Sequence, residues 1–225
     1  MIAVPFSDRR FLFAVKPVGM PVQPDPSGDR DLMTALREEG DGPLWLVHRL
    51  DRAVGGLVVF ARDARAAADL CSLIAEREVK KTYLCVTEVH TTESMPADGE
   101  LRDFLYHDRR QGKAFVVDRM RDGVKEAALS YHTLSRRVYA DRPLDLLRVT
   151  LHTGRFHQIR AQMAHRQTPL FGDGKYGARL KGAVALFSAS LSFSLYGRAY
   201  AAAVYPDTNV LPWYLFSDLP KEMWL

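Results

Sequence analysis

Apolar positions along this chain switch repeatedly between a period of two and a period near 3.6. "RFLFAV" (10–15) is a short apolar run that halts before Pro17 and predicts a strand. "PVGMPVQPDPSGDRD" follows, rich in proline, glycine and aspartate, and predicts a loop. "DLMTALREEG" predicts a short helix with Asp31 as N-cap and Gly40 at its end. "LWLVHRL" and "GLVVFAR" predict strands on either side of an aspartate loop. From Asp63 to Lys80, Ala67, Leu70, Leu73, Ile74 and Arg77 recur at three- and four-residue spacing. That spacing predicts an amphipathic helix with Asp63 at its start and basic residues at its end. "KTYLCVTEV" predicts a strand and "TTESMPADGE" a loop, while residues 99–126 mix acids and bases almost evenly and read as a solvated face. Residues 127–135 and 144–151 predict two more strands, 155–166 a helix, "RQTPLFGDGKYG" turns, and "LFSASLSFSL" a final strand. Strands outnumber helices, their order is mixed and no linker divides them. The expectation is one α+β domain over 1–225 with a large mixed sheet.

Composition narrows the function classes only a little. The 225 residues, 47% of them hydrophobic, are ample for a core. No stretch approaches the roughly 18 apolar residues of a membrane span, and the start lacks the charged and apolar regions of a signal peptide. No membrane association is expected, and the default address is cytoplasmic. Cys71 and Cys85 are too few for a disulfide framework and lack zinc-ligand spacing, so both are expected as ordinary core cysteines. A net charge of +4 permits a polyanionic partner without requiring one.

Two segments carry candidate chemistry. "HRLDRAVGG" (48–56) sets a histidine, two arginines and an aspartate beside a buried strand. Charges are rarely buried unless paired, so Asp51 needs solvent or a cation. In "TGRFHQIRAQMAHR" (153–166), Thr153-Gly154 breaks a strand, and Arg155, His157, Gln158 and Arg160 follow within six residues. On a helix His157 and Arg160 roughly share a face, and Ile159 and Met163 supply the buried one. The polar side then offers donors suited to phosphates or base edges. Arginine at a helix start opposes the macrodipole, a mild sign of function against the alternative of a solvated surface.

"KPVGMPV" (16–22), "HRLDRAVGGLVVFAR" (48–62), "KKTYLCV" (80–86) and "TGRFHQIRAQMAHRQTPLFGDGKYG" (153–177) occur in an order and spacing that resemble the RluA-like family of RNA pseudouridine synthases. The resemblance runs from about Arg10 to Phe193. It implies a pseudouridine synthase fold: a central mixed, mostly antiparallel sheet flanked by helices, with an active-site cleft. It also implies isomerisation of uridine to pseudouridine in RNA, ribosomal or transfer, in a stem-loop, with no metal, no organic cofactor and no obligatory protein partner. Asp51 matches the family's catalytic aspartate, Arg160 its ion-pair partner, and Tyr83 the tyrosine that packs against the target base. Arg49 corresponds to a residue that helps displace that base. Lys16, Arg52, Arg155, His157 and Gln158 are the further expected RNA contacts, and His48 is expected to be structural.

This chain departs from the family pattern in places. Val54-Gly55-Gly56 stands where Thr-Ser-Gly is usual, Phe156 where a threonine is common, Gln162 where a histidine is common, and Phe187 where a histidine is frequent. No S4-type RNA-binding domain is expected before the catalytic domain. Two other classes compete: a noncatalytic RNA-binding domain, and a nucleoside or glycoside hydrolase, which needs a second acidic carboxylate. Glu76 and Glu78 are poor candidates for that acid. A metal site built from His48, Asp51 and His157 is the least favoured reading.

Overall fold

A computed structural model of the protein describes residues 1–92 and 95–225. In chain order the elements are β1 (Phe6–Ser7), β2 (Phe11–Lys16), α1 (Leu32–Glu38), β3 (Trp45–Leu46), β4 (Gly55–Ala61), α2 (Ala64–Ala75), β5 (Lys80–Glu88), β6 (Asp98–Asp108), β7 (Lys113–Val117), β8 (Val124–Tyr139), β9 (Arg142–Leu151), α3 (Gln158–His165), β10 (Leu186–Leu195) and β11 (Arg198–Ala203). Spatial proximity groups them into two compact units. Met1–Lys81 with Phe187–Pro206 forms the first, and Thr82–Leu186 with Asp207–Leu225 the second.

In the first unit the strands run β1-β2-β4-β10, with β3 on β4 and β11 on β10. β4 pairs antiparallel with β2 and parallel with β10, and this makes the sheet mixed. Every residue of β4 is buried. That explains why "GGLVVFA" is a continuous apolar run rather than an alternating one. Ala66, Leu70 and Leu73 of α2 pack with Phe11, Phe13, Leu57 and Val59 in one core cluster. Asp31 and Asp63 cap α1 and α2 as the sequence predicts, accepting from the backbone N–H groups of Thr34 and Ala66.

Helix α2 is shorter than its periodicity predicts and has no basic residue in its last turn. Arg77 takes a left-handed φ of 64°. Glu78 N–H then donates to Leu73 O at 2.9 Å and Arg77 N–H to Ile74 O at 3.2 Å. This is a Schellman stop with arginine in the place usually held by glycine. Cys71 also differs from expectation: it is exposed, because the buried stripe of α2 runs along Ala66, Leu70 and Leu73. Cys85 is buried, and burial raises its thiol pKa.

In the second unit the order is β5-β9-β8-β6-β7. The segment 99–126, expected as a solvated face, instead supplies β6, β7 and the start of β8. Leu105, Ala114 and Ala127 from these strands pack with Ala161 and Tyr176. Glu100 and Arg102 on β6 are exposed, and such charges mask the strand in the composition. The loop expected at 91–100 includes residues 93 and 94, which lie outside the described residues, and its last three residues open β6.

Candidate active site

Asp51 lies on the loop from β3 to β4, half-buried, in a turn closed by Val54 N–H donating to Asp51 O at 3.0 Å. Lys16, at the end of β2, anchors this loop. Its ammonium donates to the carbonyls of Pro17 (2.8 Å), Met20 (2.7 Å) and Arg52 (3.1 Å), and the residue is only 1% exposed. Three donors meet three acceptors. Burial lowers the Lys16 pKa, the Asp51 charge opposes that shift, and Arg52 adds to it, leaving the value at about 8. Lys16 is therefore mostly charged at neutral pH and acts as a strut beneath Asp51. The resemblance implies an RNA contact at Lys16, and the structure shows its ammonium buried on three loop carbonyls.

Arg52 is exposed and pairs with the Asp29 carboxylate, with Ser27 Oγ at 2.9 Å and with Asp25 at 3.9 Å. Hydrogen bonding from Arg52 lowers the Asp29 pKa, and hydrogen bonding from Ser27 lowers that of Asp25. Arg49 is exposed. His48 has a structural task, as expected: its Nε2 accepts from Val59 N–H at 3.0 Å, so the imidazole continues the ladder of β4 where β3 ends.

Burial, with the Lys81 charge, lowers the His48 pKa to about 3. An unfolded histidine titrates near 6.5, so below that pH the unfolded chain binds a proton that the fold excludes. Stability is then lost as pH falls from 6.5 toward 3, by about 2 kcal/mol between pH 6.5 and 5 for one such histidine. Urea midpoints at both pH values should show this fall. His48→Gln, whose amide oxygen still accepts from Val59, should roughly halve it, because His157 is held neutral in the same way. An unchanged slope in the variant would remove His48 as a source of the acid sensitivity.

The second unit carries Tyr83, Arg155, His157, Gln158 and Arg160. Tyr83 is a buried residue of β5, 7% exposed. Arg160, on α3, is 6% exposed and forms a two-pronged ion pair with Asp173: Nε to Oδ2 at 2.6 Å and Nη2 to Oδ1 at 2.8 Å. Its Nη1 donates to His157 Nε2 at 2.9 Å. Arginine has no acceptor, so His157 is neutral and carries its proton on Nδ1, which donates to Tyr176 Oη at 3.0 Å. Burial, then the Arg160 charge, lowers the His157 pKa to about 3. Tyr176 Oη also accepts from Ala114 N–H at 2.8 Å, and its ring lies 5.0 Å from the Arg160 guanidinium.

Gln158 is buried rather than displayed to a ligand. Its Oε1 accepts from Thr153 Oγ1 (2.7 Å) and Arg155 N–H (3.0 Å), and its Nε2 donates to Ala128 O (3.0 Å). The amide thus fixes the Thr153–Arg155 turn that starts α3. Arg155 Nε donates to Glu126 O at 2.8 Å. Arg155 also lines a groove of about 820 Å³, together with Arg109, Arg110, Lys125, His107 and Phe156. Apart from Arg155, the basic residues of this groove, which lie among Asp108 and Asp122, are absent from the sequence reading. So are Asp173 and Tyr176, which lie in the turn that reads only as "GDGKYG".

A family model described as RNA pseudouridylate synthase matches residues 10–165. The chain belongs to this family. The ribosomal large subunit pseudouridine synthase D of Xanthomonas campestris pv. campestris is 33% identical over 182 residues, 78% of this chain and 52% of that protein. The tRNA pseudouridine synthase C of Pasteurella multocida is 29% identical over 178 residues, 74% of this chain and 71% of that one. The chain thus spans about half the length of the first relative. The structure of human RNA pseudouridylate synthase domain containing 1 matches with a TM-score of 0.78 at 20% identity, over 95% of this chain and 86% of that one. That likeness is one of fold.

The departures from the pseudouridine synthase pattern have structural explanations. A side chain at Gly55 would begin 2.9 Å from Val18 Cγ2 and 3.3 Å from the Phe187 ring. A side chain at 55 would therefore crowd Val18 first and the Phe187 ring second, and glycine avoids both. Gly56 is fixed for a different reason: its φ is 106°, and a Cβ would meet Ser188 O at 2.2 Å, across the β4–β10 register. Phe156 stacks between His107 and His157, with both ring centroids at 3.9 Å. Gln162 is buried and donates to Asp103 Oδ2 at 2.7 Å, and Asp103 pairs with Arg166, so the two residues tie α3 to β6.

Proposed function

We propose that this chain isomerises specific uridines in structured RNA to pseudouridine, with Asp51 acting at the ribose. The bond from N1 to C1′ breaks and a bond from C5 to C1′ forms. N1 gains a proton as C5 loses one, so no oxidant or co-substrate is needed. Asp51 either attacks C1′ or assists removal of a ribose proton, routes open to a rigid ionised carboxylate. Tyr83 packs against the target base, and Arg160 supplies the cation that orients the aspartate. The family match over residues 10–165, which includes all three side chains, carries this reading. The names of relatives, a ribosomal large subunit pseudouridine synthase and a tRNA pseudouridine synthase, support one of these RNA classes as substrate, and a stem-loop within it is part of the proposal.

Extrusion of a stacked uridine costs a few kcal/mol. We assign Arg49 to fill or prop the vacated place. RNA treated with the protein and digested to nucleosides should contain pseudouridine and no free uracil; free uracil would instead mark a hydrolase. Arg49→Ala should slow single turnover on a stem-loop by roughly a hundredfold, the equivalent of about 2.7 kcal/mol, and change little on a short unstructured RNA with the same uridine. Equal losses on both RNAs at matched salt would remove Arg49 from the extrusion step.

A further inference from the structure

We propose that Asp173 and His157 are positioning residues that hold the Arg160 guanidinium in a single plane and so set how it meets its partner in the reaction. The proposal rests on the role for Arg160 given above, and neither residue's use follows from that role. A guanidinium is planar and has five N–H donors in a fixed fork. Asp173 takes Nε–H and one N–H of Nη2, and His157 takes one N–H of Nη1. With three donors fixed in the plane, the direction of every other N–H follows.

Both holding groups are themselves held. Asp173 is 1% exposed, and its carbonyl accepts from Tyr176 N–H (2.9 Å) and Ala178 N–H (3.1 Å), so its carboxylate projects from a tied turn. His157 precedes α3 with φ 51°, a left-handed conformation uncommon outside glycine, and makes no side-chain cap hydrogen bond. The strained backbone instead turns the ring so that Nε2 faces Arg160 and Nδ1 faces Tyr176. Phe156 covers one face of the imidazole at 3.9 Å, interplanar angle 18°. Tyr176 closes the arrangement: it receives His157 and Ala114 on its hydroxyl, and its ring lies near the guanidinium. Of the two holding groups, Asp173 brings a negative charge to the guanidinium and His157 none. The cradle acts through placement, where an error of about 1 Å costs roughly a hundredfold in rate.

Two substitutions at His157 separate its roles. His157→Phe keeps a ring for Phe156 to stack on and removes the acceptor for Arg160. His157→Gln keeps an amide oxygen near the Nε2 position and removes the stack. Single-turnover rate at saturating RNA should fall about a hundredfold in His157→Phe with a far smaller change in RNA affinity, and His157→Gln should recover most of it. In ¹⁵N-labelled parent protein the Arg160 Nη signals should be separate because rotation is slow. In His157→Phe they should average while Nε–H, held by Asp173, stays sharp. Asp173→Asn should disturb Nε–H as well. A parental rate in His157→Phe with unaltered Arg160 signals would overturn the proposal. So would equal rate losses in both His157 variants that follow their melting temperatures. Failure of the parent protein to make pseudouridine would defeat the assigned activity, while the Nη and Nε signals would still decide whether the cradle holds Arg160.

Discussion

Asp51→Asn should leave the fold and RNA binding in place and lower pseudouridine formation by roughly three orders of magnitude or more. The amide has the carboxylate's shape, and the residue is half-buried on a loop whose turn is closed by its own backbone, Val54 N–H to Asp51 O. The backbone closure of that turn does not use the side-chain charge. The chemistry does, because a neutral amide neither attacks C1′ nor takes a ribose proton. A second consequence is local. Asp51 raises the Lys16 pKa against the effect of burial, so the variant's Lys16 should titrate below the parent value of about 8. Tritium release from RNA labelled at uridine C5 measures the first effect, and the Lys16 ammonium signal followed by NMR against pH measures the second. Release near the parental rate would remove Asp51 from the reaction. An unchanged Lys16 titration would show that the two groups are not coupled.

Features encoded within a few residues of each other were legible in the sequence. Asp31 and Asp63 cap their helices by accepting from an N–H three residues on, and the apolar stripe of α2 is visible as spacing. The end of α2 was not, because Arg77 adopts a glycine-like φ without being glycine. β6 and β7 were hidden for the opposite reason. Exposed charges such as Glu100 and Arg102 mask β6, and the small inward set of Leu105 and Ala114 acquires meaning only from Ala161 and Tyr176 across the core. Asp51 and Arg160 stood out because their local composition is hard to explain as surface or core alone. Asp173 did not, since its partner lies 13 residues away and its own turn looks ordinary. Lys16 and Gln158 are RNA contacts in what the resemblance implies, yet both are buried and bonded to the backbone or to neighbouring residues. Polarity in a sequence announces a hydrogen-bond requirement. It does not tell which partner meets it.

The same distinction governs the second large effect, that of Arg160→Lys. Lysine keeps the positive charge and loses the planar fork. Arg160 bonds Asp173 through Nε and Nη2 and His157 through Nη1, and a single ammonium cannot reproduce these three directions at once. The buried Asp173 carboxylate then keeps at best one of two charge-assisted bonds, and His157 Nε2 loses its donor. Leaving a buried polar group unpaired costs about 1–3 kcal/mol, so the melting temperature should drop measurably while the protein still folds. Turnover at saturating RNA should drop more steeply, by roughly a hundredfold or beyond, because the ammonium that replaces the guanidinium has no planar set of N–H donors held in fixed directions. RNA affinity should change little, since the charge is retained and the group is 6% exposed. Filter-binding constants and single-turnover rates on one RNA at one salt concentration separate the two quantities. If affinity falls as far as the rate, with a weaker salt dependence, Arg160 is a phosphate contact and its pairing with Asp173 serves only to bury it.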